Sequence, residues 1–117
     1  MSAIPQKQIA YLLSFPPSND KTRYKGNWSL VHWNKTIFSF DEHFYCLSHY
    51  GSLVLEFETN GGVTYYNITS RSDADGANSL LFLLNYPFKF RCKQGRYYLV
   101  PLTESEKERM YDYVTPC

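Results

Sequence analysis

Lys89, Arg91 and Lys93 alternate with Phe88, Phe90 and Cys92, and Gln94-Gly95 follows, then Arg96, Tyr97 and Tyr98. Alternation of this kind is the mark of a half-buried strand, and Gln-Gly suits a tight reversal. A β-hairpin over residues 88 to 100 would set Lys89, Arg91 and Lys93 on one strand face, with Arg96 just beyond the turn and Tyr97 or Tyr98 beside them. No Asp or Glu lies between 88 and 100. Four cations flanked by aromatic rings can pair with carboxylates on a protein surface. They can also pair with phosphates while a ring stacks on a base. The same residues would equally serve an edge hairpin as a guard against strand-to-strand aggregation. Lys21, Arg23 and Lys25 around Tyr24 form a smaller second patch.

Other chemistry is harder to assemble. His43, Cys46 and His49 have zinc-ligand types, but a site needs four ligands, or three and a water. On a strand residue 46 points away from 43 and 49, so no metal is expected. Asp73-Ala74-Asp75-Gly76 has the look of a calcium loop. With Gly76 in the glycine position, however, Arg71 would fall at the first ligand position and Phe82 at the last, and neither can ligate. Capping of a helix by Ser72, Asp73 or Asp75 explains the run better. No nucleophile elbow, Walker loop, dinucleotide turn or zinc-protease signature occurs, and no cofactor is expected. Binding is therefore the first reading and a small hydrolase a distant one.

The elements that would carry the hairpin read as strands first and helices later. Residues 1 to 20 suggest a short helix or a loosely attached arm, closed by Pro16-Pro17-Ser18-Asn19-Asp20. The polar run 21–27 reads as a loop. Trp28 to Trp33 and Thr36 to Phe40 flank Asn34-Lys35 with hairpin spacing. Phe44 to Ser48 reads as a further strand, ahead of a turn at Tyr50-Gly51. Leu53, Leu55 and Phe57 alternate with Glu56 and Glu58, and Asn60-Gly61-Gly62 is the strongest turn in the chain. The pattern then becomes helical near 73–85, and Pro87 stops it. Thr103-Glu104-Ser105-Glu106 is a capping box that opens a C-terminal helix near 103–113. The expectation is α+β: an antiparallel sheet of about five to seven short strands with two helices, in one domain over 1–117.

Composition bounds the rest. At 117 residues, with 44% apolar and 18% aromatic residues, the chain can fill one core and argues against disorder over most of its length. A net charge of +1 gives no global field for nucleic acid or anionic membrane. No run is long enough to span a bilayer, and the start lacks a signal peptide's pattern. Cys46, Cys92 and Cys117 are odd in number and widely spaced, which reads as thiols in a reducing cytoplasm. Asn27-Trp28-Ser29, Asn34-Lys35-Thr36 and Asn67-Ile68-Thr69 fit the glycosylation pattern, taken here as coincidence.

Four segments carry a resemblance: Asn27-Trp28-Ser29-Leu30, Tyr50-Gly51-Ser52-Leu53-Val54, Tyr65-Tyr66-Asn67-Ile68-Thr69-Ser70 and Ala77-Asn78-Ser79-Leu80-Leu81. Over residues 24 to 84 the chain resembles small uncharacterised proteins of bacteriophages and other mobile elements. The resemblance implies no catalytic residues. It implies a phage-type accessory protein. A cytoplasmic location, in the host cell if the chain is viral, and an inhibitory role that includes counter-defence are separate expectations. The expected partner is a protein, with nucleic acid through the basic hairpin as the alternative. A homodimer through an edge strand is also open.

Overall fold

The computed structural model describes residues 4–104. Contacts sort the chain into two units, Tyr11–Asn67 and the residues from Ile68 onward with those up to Ala10. The architecture is α+β, with two helices, a five-stranded antiparallel sheet and a two-stranded sheet among the described residues. The N-terminal segment is a helix, α1 (Ile4–Leu13), and not an extended arm. Ile9 and Leu12, three apart and so on one helical face, are both buried.

The first unit is a meander of five strands, each bonded to the next: β1 (Thr22–Lys25), β2 (Trp28–Ile37), β3 (Phe40–His49), β4 (Ser52–Glu58) and β5 (Gly62–Tyr66). Tight turns suffice because every neighbour runs antiparallel. Facing residues share a side of the sheet, so Leu30, Leu47 and Leu55 make one buried row. Tyr45 and Phe57 make another beside it.

Two expectations fail here. Residues 22–25, expected in a loop, form edge strand β1, whose polar side chains are tolerated because most remain in water. The reversal expected at Asn34-Lys35 also does not exist. Strand β2 runs straight through it and turns at Phe38-Ser39, with Phe38 in the left-handed region at φ 59°. Ten paired rungs between β2 and β3 outweigh the local turn preference of Asn34. Strand β3 is accordingly longer than the expected 44 to 48.

The second unit holds α2 (Arg71–Leu83) and the hairpin β6 (Phe88–Lys93) and β7 (Arg96–Pro101). Helix α2 starts earlier than the expected 73 because its cap is Ser70, whose hydroxyl accepts from the Asp73 amide at 3.1 Å. The Asp73 carboxylate reaches back to the amide and hydroxyl of Thr69, at 3.2 and 3.1 Å. Helix and hairpin are joined by Asn78, which is bonded on both sides of its amide to the backbone of Phe90. The expected C-terminal helix near 103–113 lies outside the described residues, apart from its first two positions.

Cys92 is disulfide-bonded, which corrects the expectation of three thiols and removes the cysteine argument for a reducing compartment. Cys46 is free. Among the described residues, no helix is long and apolar enough to cross a membrane.

Candidate binding face of the β6–β7 hairpin

The hairpin closes through Gln94 and Gly95, both at positive φ (53° and 79°), the pairing that a two-residue turn needs to match strand twist. Its register sets Arg91 opposite Tyr98 and Lys93 opposite Arg96. Directly opposed residues point to the same side. Arg91, Lys93, Arg96 and Tyr98 therefore share one face, and all four are exposed. The other face is apolar, with Phe90 and Cys92 buried and Leu99 half-buried.

Two of the six residues read from sequence do not join that face. Lys89 has the right parity but is wholly buried, with 0% exposure, so it cannot meet a partner. Tyr97 sits opposite Cys92, on the apolar side, and is half-buried. What remains is three cations and one tyrosine, with no carboxylate on either strand. In high dielectric each exposed cation is worth little alone, but a cluster of one sign attracts a complementary surface and speeds encounter.

The second patch is divided by its own register. Arg23 and Lys25 face Leu30 and Trp28, whereas Tyr24 faces Ser29 and so points to the other side. The Arg23 guanidinium lies 4.5 Å from the Phe15 ring centre and the Lys25 ammonium 4.7 Å from that of Tyr11. Both cations hold aromatic rings of their own unit, while Lys21 and Tyr24 stay exposed.

His43, Cys46 and His49 do not converge. His49 stacks on Trp28 at 3.9 Å, whereas the His43 ring meets His32. Among the described residues no three His, Cys, Asp or Glu side chains are placed to hold a metal.

Sequence reasoning missed the pair His32 and His43, whose Nε2 and Nδ1 lie 2.8 Å apart. The Nδ1 of His32 is buried without a partner. Whichever tautomer His32 adopts, its Nδ1 is unsatisfied, and its one ring hydrogen bond is the one shared with His43. Burial, then the neighbouring His43, push the His32 imidazole down from 6.5 to about 4. The His32 ring also stacks on Tyr45 at 4.2 Å, and burial pushes the Tyr45 phenol up. In α2, burial raises the Asp75 carboxyl against the opposing pull of Arg71, and its Oδ1 has no hydrogen-bond partner.

No family model matches this chain, and no curated protein or solved structure does either.

Proposed function

We propose that this chain is a small binding module, of the kind that phages and mobile elements use as protein-interaction modules or inhibitors. Its contact face is the outward side of the β6–β7 hairpin. The observation that carries the reading is the register: Arg91, Lys93, Arg96 and Tyr98 on one exposed face, with no acidic residue on either strand. The partner is then a protein surface rich in Asp and Glu. The planar guanidinium groups of Arg91 and Arg96 suit two-point pairing with carboxylates. The test is binding to an acidic partner captured from the cell of origin, compared between the natural chain and Arg91→Glu, Lys93→Glu, Arg96→Glu. Loss of binding in the folded variant supports the reading, and equal binding overturns the site.

A second reading rests on Tyr98, which is 44% exposed directly opposite Arg91. A ring beside a cation can stack on an unpaired base while the cation holds the phosphate. Three phosphate contacts would give a salt slope of about −2 for single strands. A labelled oligonucleotide titrated at several salt concentrations distinguishes the two. A protein partner that survives nuclease treatment, with no oligonucleotide shift at low salt, leaves the first reading alone.

A further inference from the structure

The five-stranded sheet has a second face, opposite its buried rows, and that face is chemically unlike the hairpin. Trp33 stands opposite Phe44, and the two rings stack with centroids 5.2 Å apart and planes within 10°. Phe44 stands in turn opposite Glu58 on β4. In the next row Cys46 faces Glu56, and Glu56 faces Tyr65. Rings and carboxylates thus stand side by side across β2 to β5.

Trp33, Phe44, Cys46, Glu56, Glu58 and Thr64 line a cleft there of about 140 Å³. Ligand pockets for whole small molecules run to roughly 300–1,000 Å³, so this cleft has room for a single side chain. Its chemistry says which. An apolar occupant would strip water from two half-buried carboxylates and return nothing to them. A cation restores that loss and meets the electron-rich ring faces as well. The Lys35 ammonium already lies 5.3 Å from the centre of the Phe44 ring, which shows that cations can reach that ring. Burial, then the charge of Glu56, push the Cys46 thiol up, so the thiol stays neutral and adds no charge to compete with the two carboxylates. Among the described residues, neither carboxylate is paired with a cation.

We infer that this cleft receives a cationic side chain, arginine or lysine, from an extended segment of a partner protein. The site shares no residue with the basic hairpin and is of opposite sign, and it stands whether or not the hairpin binds anything.

The probe is a capped heptapeptide with arginine at alternate positions, and its control carries citrulline, which keeps the shape and loses the charge. The indole N–H resonance of Trp33, assigned with Trp33→Phe, reports occupancy. The expected result is a saturable shift with the arginine peptide. Affinity should weaken about fivefold or more with citrulline and with Glu56→Gln, Glu58→Gln. Gly61→Ala is a second variant, because a methyl there would stand 2.5 Å from Glu58 Oε2 and displace the carboxylate without removing its charge. It should weaken binding too, with amide spectra showing the fold intact. A Trp33 resonance that ignores the peptide, or citrulline binding as well as arginine, overturns the assignment. A resonance that moves with protein concentration alone also overturns it, because a second copy then occupies the cleft.

Discussion

Asn78 on α2 stands in for a strand beside β6: its Nδ2 donates to the Phe90 carbonyl at 3.1 Å and its Oδ1 accepts from the Phe90 amide at 2.7 Å. Asn78 is only 1% exposed and Phe90 likewise 1%, so water cannot replace either bond. One side chain therefore fixes the hairpin that presents Arg91, Lys93 and Arg96. Asn78→Ala should cost about 2–4 kcal/mol, because two bonds to the buried Phe90 backbone are lost together. Urea unfolding measures it, and a loss below about 1 kcal/mol would mean that the pair is not structural.

Lys89 separates the hairpin's folding from its binding. It is buried in the structure, so Lys89→Met should alter stability and leave partner affinity within about twofold. If affinity falls as far as it does with Arg91→Glu, then Lys89 reaches the partner and the assignment of the outward face is wrong.

The histidine pair predicts a pH window. Unfolded, His32 takes up a proton near 6.5, whereas folded it holds off until about 4. Between those values the unfolded chain carries the extra proton, so stability falls as pH drops through the window. Above 6.5 both states are neutral and the contribution is fully present. Proton NMR of the His32 ring should show a midpoint near 4, and the urea midpoint should decline between pH 6.5 and 4. A His32 midpoint close to 6.5 would contradict the buried, unpartnered Nδ1.

Phe38 is 94% exposed yet held at φ 59°, where a bulky side chain costs about 1–2 kcal/mol. It buries almost nothing in return. Glycine relieves the strain but loses more entropy on folding, so Phe38→Gly should stabilise the chain by about 0.5–1 kcal/mol. Thermal unfolding decides it, and a destabilised variant would mean that the ring makes contacts in the folded state.

These residues also show how far the sequence could be read. The alternation in 88–93 and the turn at Gln94-Gly95 were legible because period and turn chemistry agree, and the structure returns both. Asn60-Gly61-Gly62 was legible for the same reason. The β2–β3 turn was not, because Phe38 and Ser39 carry none of the residues that accept positive φ easily. A reversal at Asn34-Lys35 would have paired His32 with Ile37, so the contact with His43 was hidden by the wrong register. The burial of Lys89 was hidden too. Parity along a strand says which side a residue takes, and not how much of that side is covered. The Trp33–Phe44 cleft needs four strands in register, which no local pattern supplies.

The proposed binding role stands or falls on Arg91, Lys93 and Arg96 as its contact face. The most direct measurement captures partners from the cell of origin, after nuclease treatment, with the natural chain and with the variant in which all three are glutamate. The expected result is a discrete acidic protein retained by the first and lost by the second, with both chains folded by amide spectra. The same protein retained equally by both would contradict it.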